Sequence, residues 1–433
     1  MACNNDRGAV TAPRPANNAK GGPPVTPVPL RSLVSIAALA ALGAAPASHA
    51  QTDPIKIGLL APVTGPLAKP GADMVNGFKL FWEEAKHTAG GRKVDVVVAD
   101  TTCNPDQALT QARRMVHQEK VHIMVGPLCG HEGPAVAQVS KETGVPLVMD
   151  PAGADDVTKW NRTPTVVRTA ISSSQIGHPF GDYLYNALKL RRVTFIGQDY
   201  TFGQEVTLGA VKVFTDLGGK VDKIIWNPIG TKDYGPTISA IPGDTEAVAA
   251  VVVGVDRVRL FEAWFNFGMD KKKKIYGGYW LQADVLPQMD DRAVGLIGNS
   301  LVYAAGLDTP ENRAFVDAFA RRYKMVPSWF AESAYTAGLW TRTAINAIEG
   351  KVEDRAAFLK AMRTVKVKAP RGPLRLDEYD NPVQNVYISE IRKAKHPVLG
   401  DILINVPVKT YENVSQFWTW KPGEFLKRGP YKR

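Results

Sequence analysis

Residues 55–66, IKIGLLAPVTGP, pass without a break from an apolar run into a turn made of Pro, Gly and Thr. The run reads as a buried strand over 55–62. The turn PVTGPLAKPG then leads into the amphipathic stretch MVNGFKLFWEEA, which predicts a helix over about 71–89. The alternation repeats downstream. KVDVVVAD is a second strand, followed by a helix opening at NPDQALTQARRMV, where Asn104 can cap and Pro105 suits the first turn. HIMVGP, PAVAQVSKETG and VPLVMDPA continue as strand, helix and strand. Strand and helix in this order imply a parallel sheet wrapped by right-handed crossovers.

After TPTVVRTA the rhythm restarts. VTFIGQDY, GGKVDKIIWNP, AVAAVVVGV and KIYGGYW predict four more strands, with helices near 202–217, 233–241 and 257–268 between them. The fold class is therefore α/β, with two doubly wound parallel-sheet lobes. A largely helical stretch follows over about 309–366, then the turn-rich APRGPLRLDEYDNPV and a short strand at NVYISEI. The basic end LKRGPYKR reads as solvated.

The first fifty residues differ from the rest. A Pro/Ala/Asn/Gly-rich stretch leads to Arg31 and then to the apolar run LVSIAALAALGAA, residues 33–45, too short for the roughly 20 residues of a membrane helix. PASHA follows, with Ser48 and Ala50 at the minus-three and minus-one positions of a signal-peptidase site. Residues 1–50 are read as a signal peptide cleaved after Ala50, and the mature chain as exported. The basic region before the apolar run is long, which a start codon downstream of Met1 would explain.

The chain of 433 residues is 45% hydrophobic and 22% charged, which excludes disorder and collagen-like repeats and leaves room for two domains. Of its 53 basic and 42 acidic side chains, the leader takes Arg7, Arg14, Lys20, Arg31 and Asp6, leaving 49 against 41. That mild excess is spread along the chain. The one basic run, Lys271 to Lys274, reads as a solvated turn, and no interleaved aromatics point to nucleic acid.

Two cysteines remain once Cys3 leaves with the leader. In an oxidising compartment Cys103 and Cys129 have each other as the obvious partner. Cys129 stands in GPLCGHEG, residues 126–133, beside His131 and Glu132, so two other readings arise. A metal site needs three or four ligands, and adjacent His and Glu in a short loop rarely aim at one ion. A nucleophilic thiolate needs a free thiol beside a base. No Gly-x-Ser-x-Gly elbow, Walker loop or His-Glu-x-x-His helix is present.

Ligands of open parallel sheets sit outside the carboxyl ends of the strands. The unusual turns fall there: PVTGPLAKPG, GPLCGHEG, DPAGADD, QDYTFGQE and GGYWLQ. Glycine-rich turns before helices suit the capture of a small anion by backbone N–H groups. Composition and motifs thus favour a binding protein over an enzyme, with no cofactor and no metal.

Residues 55–116, the segment VGPLCGHEGPAVAQVSKETGVPLVMDPAGADDVT and the later YTFGQE resemble the Leu/Ile/Val-binding type of periplasmic solute-binding protein. The likeness runs from about Ile55 to Pro382. It implies a type I fold, a monomer, a joined Cys103–Cys129 pair and no catalysis. It also implies a small-molecule solute and an ATP-binding-cassette permease as partners. Its three hinge strands would lie near 168–170, 301–304 and 373–376, giving one lobe of 51–168 plus 305–372 and another of 170–300 plus 377–433.

The family's carboxylate-holding turns match Gly130, His131 and Glu132, then Ala152, Gly153 and Ala154, which keep the backbone donors but lack the hydroxyls. Thr64 in the first turn completes that side. The family's ammonium-binding acid matches Tyr279, with Trp280 beside it; Asp256 is the candidate substitute. Tyr200, Phe202, Tyr279, Trp280 and Phe330 would line an aromatic pocket, unless Tyr279 and Trp280 are core residues under the loop. The expected solute is an amino acid or an aromatic or aliphatic carboxylate. A sensor presenting solute to a signalling receptor would carry the same signature, and an exported enzyme would need His131 and Asp256 to face each other across the cleft.

Overall fold

The computed structural model describes residues 21–24, 53–277, 282–431 and 433. The leader reading falls almost wholly outside these, and Tyr279 and Trp280 fall outside them too. The first sheet is built from β1 (Ile55–Ala61), β2 (Thr88–Ala89), β3 (Arg92–Asp100), β4 (Ile123–Val125), β5 (Leu147–Met149) and β6 (Val166–Arg168). Its order is β2-β3-β1-β4-β5-β6, parallel except for the short β2. The chain turns outward in both directions from β1, so a switch point lies between β1 and β4, where the family of open α/β sheets places its ligands.

Three helices connect these strands: α1 (Ala68–Glu84), α2 (Pro105–His117) and α3 (Gly133–Thr143). Helix α2 begins as its sequence requires, with the Asn104 side chain accepting from the N–H groups of Asp106 and Gln107 and Pro105 at the first position. Helix α1 starts three residues earlier and ends five residues earlier than the spacing predicts. Pro70 is tolerated because a helix's first turn has no internal use for its N–H. Lys86 and His87 take positive φ and fold the chain back into the β2–β3 hairpin.

The second sheet contains β7 (Arg192–Gln198), β8 (Lys220–Asn227), β9 (Ala247–Val251), β10 (Lys274–Gly277), β11 (Ile297–Asn299), β12 (Leu374–Leu376), β13 (Pro382–His396) and β14 (Gly400–Val414). The order is β12-β13-β11-β10-β9-β7-β8, with β14 on β13; β8 to β11 are parallel, and β12, β13 and β14 antiparallel. Its helices are α4 (Ser173–Asp182), α5 (Thr201–Asp216), α6 (Gly235–Ser239) and α7 (Asp256–Asn266). Helices α4 and α5 pack backbone to backbone: a Cβ at Gly177 would stand 2.3 Å from Val206 O, and one at Gly181 2.2 Å from Ala210 O. This contact fixes where α5 points its first turn.

The remaining helices are α8 (Pro310–Tyr323), α9 (Trp329–Ala347), α10 (Arg355–Thr364) and α11 (Pro422–Lys427). Helix α9 lies on α1 and buries Ala331, Ala334, Ala337 and Trp340 with Met74, Phe78 and Trp82. At the C-terminal end Lys427, Arg428, Pro430 and Arg433 are exposed as the charge suggests, but the stretch is anchored by aromatic residues. Phe425 is buried, and the Tyr431 hydroxyl lies 3.1 Å from His178 Nε2 among Trp418, Trp420 and Phe425.

Candidate functional site

Strands β4 and β5, on one side of the switch point, end at nearly one level, since Val125 of β4 pairs with Val148 of β5. Each then enters a turn through a cis proline bond, Gly126–Pro127 and Asp150–Pro151. The turns run side by side: a Cβ built on Gly130 would lie 3.7 Å from Ala154 N. Among the described residues no protein acceptor meets the N–H groups of Gly130, Gly153 or Ala154. They form a small cluster of donors, the arrangement that captures an anion.

Opposite them stands the first turn of α5, carried by β7 of the second sheet. The same built Cβ on Gly130 would lie 3.5 Å from Phe202 Cβ, an ordinary contact. Leu67 of the first turn comes closer to Gly254 after β9, where a built Cβ would stand 2.8 Å from Leu67 Cδ2. Between the two sets of loops is a cavity of about 20 Å³. Leu128, Cys129, Gly130, Pro151 and Gly153 line it from the first sheet, Tyr200, Phe202 and Val253 from the second, and Trp329 and Phe330 from the start of α9. Space of this size admits about one water.

The structure thus brings together Gly130, Gly153, Tyr200, Phe202 and Phe330, with Ala152 and Ala154 in the same turn. Other candidates are engaged elsewhere. His131 puts Nε2 2.9 Å from the Cys103 carbonyl, so Nε2 carries the proton and donates, and its ring meets Tyr200 edge-on. It does not line the cavity, and burial lowers its pKa, which keeps the ring neutral. Glu132 does not orient that imidazole. Its Oε2 accepts from Cys129 N at 3.0 Å, and burial raises its pKa to about 7. Cys103 and Cys129 are joined as a disulfide, with Cα atoms 5.6 Å apart.

Asp256 does not line the cavity, and three hydrogen bonds already draw on its carboxylate. Its carboxylate accepts from Gly230 N at 2.7 Å, Gln198 Nε2 at 2.9 Å and Arg259 Nη1 at 2.9 Å. Desolvation raises its pKa despite these partners. Thr64 is exposed and donates to Asp100 Oδ2 at 2.6 Å. Among the described residues, no group of three or more His, Cys, Asp or Glu could hold a metal ion. No described helix is long and apolar enough to cross a membrane.

Sequence reasoning missed Trp329, Leu128, Pro151 and Val253, whose apolar walls carry no chemical signature, although Trp329 adjoins Phe330 with ring centroids 5.3 Å apart. A wider groove of about 940 Å³ lies away from the N–H cluster, floored by Met289, Met325 and Leu403. Of its four lysines, Lys69 and Lys393 pair with Asp73 and Asp291. The smaller cavity is therefore the candidate site, because the unmet donors converge there.

A family model described as "Periplasmic binding protein" matches residues 54–396. The Leu/Ile/Val-binding protein homolog 6 of Brucella melitensis is 29% identical over 83% of this chain and 93% of its own length. A solute-binding protein of an ABC transporter from Rhodopseudomonas palustris, solved with 3,4-dihydroxybenzoic acid, superposes with a TM-score of 0.77 at 26% identity, covering 84% of this chain and 98% of its own. Another from that organism, solved with benzoate, gives 0.75 at 27% identity, over 82% and 98%. With two parallel-dominant sheets, the type I fold and the joined cysteine pair in place, the chain belongs to the periplasmic binding protein family, as a substrate-binding protein of an ABC transporter.

Proposed function

We propose that the protein captures a small aromatic carboxylate between its lobes and delivers it to an ABC permease. The observation that carries this is the pairing of unmet N–H donors with aromatic rings at one cavity, while the candidate acid Asp256 does not line it and already accepts three hydrogen bonds. A carboxylate satisfies the donors, the rings of Tyr200, Phe202, Trp329 and Phe330 cover an apolar body, and a solute ammonium would find no free side-chain carboxylate among the described lining residues. Relatives solved with benzoate and 3,4-dihydroxybenzoic acid support this reading. The second reading is a branched-chain amino acid, favoured by the names of the curated relatives.

In this proposal residues 1–50 are removed after Ala50 and the mature monomer works in the periplasm. One lobe is 51–168 plus 305–372 and the other 170–300 plus 377–433, hinged near 168–170, 301–304 and 373–376. The sheet membership of β1–β6 and β7–β14 supports that division. The test is a thermal-shift screen of residues 51–433 against benzoate, 4-hydroxybenzoate, leucine, phenylalanine and short-chain fatty acids, because a ligand that binds only the folded state raises the melting temperature. Stabilisation by the aromatic acids is expected; stabilisation by leucine alone would replace this reading with the amino-acid one.

A further inference from the structure

We propose that Arg168 is a positioning residue for the bound carboxylate, lending its charge through the peptide units of the 152–155 turn without touching the solute. The inference rests on the carboxylate reading above and explains how a turn that lacks hydroxyl side chains can hold an anion.

Arg168 ends β6, is wholly buried, and spends its guanidinium on main-chain oxygens. Nη1 donates to Ala152 O and to Ile171 O, the latter at 2.7 Å, and Nη2 donates to Ala154 O at 2.7 Å. The peptide whose oxygen is Ala152 O carries the Gly153 N–H at its other end. The next peptide has its oxygen, Gly153 O, accepting from Ser173 N at 2.7 Å and carries the Ala154 N–H. These two N–H groups meet no protein acceptor among the described residues, and Gly153 lines the cavity. A hydrogen bond to a carbonyl polarises its peptide and strengthens what the N–H at the far end can donate, by about 10–30% per bond. At Gly153 the polarising donor is a full positive charge.

The third peptide fixes the turn. Its oxygen, Ala154 O, takes Arg168 Nη2, and its N–H, on Asp155, is held by both oxygens of Glu205 at 3.2 and 3.1 Å. Asp155 and Glu205 face the guanidinium and favour its charge, although Lys159 at 2.8 Å shares Asp155 and burial raises the Glu205 pKa well above the usual carboxylate range. Desolvation lowers the Arg168 pKa to about 10, which leaves it charged at neutral pH. Arg168 is absent from the cavity wall, so it faces the back of the turn. The planar fork reaches oxygens two residues apart through two separate nitrogens.

The test compares wild type, Arg168→Lys and Arg168→Met by calorimetric titration with 4-hydroxybenzoate and with leucine, together with the ¹⁵N shift of the Gly153 amide in free protein. Arg168→Met is expected to weaken whichever carboxylate the wild type binds by about fivefold, the upper end of that strengthening applied to a charge-assisted hydrogen bond. It should also move the Gly153 ¹⁵N resonance upfield, while Arg168→Lys recovers part of both. A folded Arg168→Met that binds within about threefold of wild type, or leaves Gly153 unmoved, overturns the proposal. Should that variant not fold, Arg168→Gln decides: it keeps N–H donors for the carbonyls and loses the charge, so wild-type affinity there overturns the proposal as well. Failure of the carboxylate reading shows differently, as wild-type protein that binds neither solute; the Gly153 shift then still decides whether Arg168 polarises the turn.

Discussion

Replacing Cys103 and Cys129 together by serine should cost about 3.5 kcal/mol of stability. The two residues are 26 positions apart, and in the chain-entropy model a closed loop of that length removes about 12 cal/mol/K from the unfolded ensemble, or about 3.5 kcal/mol at 25 °C. At about 2.1 cal/mol/K per residue, unfolding a chain this long carries an entropy of about 0.8 kcal/mol/K, so the melting temperature should fall by about 4 °C if it unfolds as one unit. Local geometry holds the two ends near each other in the folded variant, since the His131 bond to Cys103 O links the same two loops, but it places no constraint on the unfolded chain. The assay is calorimetry on the double variant and on wild type, with maleimide labelling of untreated native protein. A drop below about 1 °C would refute the entropic argument. Two reactive thiols in wild type would refute the bridge itself.

Three further outcomes follow from the same geometry. Phe202→Leu keeps most of the volume at the cavity but loses the ring, so affinity for 4-hydroxybenzoate should fall two- to tenfold, the about 0.5–1.5 kcal/mol of an aromatic pair, measured by titration calorimetry. Arg371 Nε and Glu332 Oε2 form a buried pair at 2.9 Å. Either Arg371→Met or Glu332→Gln alone should cost about 3–5 kcal/mol by urea unfolding, and the double variant should cost less than the sum. Burial raises the pKa of Glu132 to about 7 and of Asp73 and Asp150 to about 6. Each of the three carboxyls holds its proton more tightly folded than unfolded. The stability they contribute is complete below the unfolded values near 4 and is lost as pH rises through 6 and 7. Through these carboxyls the melting temperature should rise as pH falls from 8 towards about 6.5, below which the buried neutral rings of His131 and His178 oppose the gain, and Glu132→Gln should flatten the upper part of that curve.

The parallel strands were legible because unbroken apolar runs such as IKIGLLA and AVAAV have one use in an α/β chain, burial on both faces. Strand β14 was not, since Pro407 interrupts its pattern and a proline argues against a paired strand. The structure resolves the conflict with an irregularity: Pro407 sits opposite Ser389 where the β13–β14 register shifts. The turns of the site were legible from their place at strand ends, as Gly130 and Gly153 show. Which side chains fill those turns was not. Asp256 looked free because its partners Gln198 and Gly230 are far away in sequence, and Trp329 entered the wall from a helix that begins long after the strands it covers.

The closeness of the loops has a consequence for affinity. A benzoate-sized solute does not fit a cavity of about 20 Å³, so it is admitted only when Phe202 parts from Gly130 and Leu67 from Gly254. The Glu205–Asp155 bonds join α5 to the same turn and resist that parting. Whatever free energy holds these contacts together in solute-free protein is subtracted from binding, since apparent affinity scales with the fraction of molecules able to accept the solute. Glu205→Gln weakens the acceptor on Asp155 N while keeping its shape. It should speed both association and release of 4-hydroxybenzoate in stopped-flow fluorescence, because the same contact must break to let the solute in and re-form behind it. If only release quickened, the contact would exist with solute bound and not without it, and closure would be driven by the solute alone.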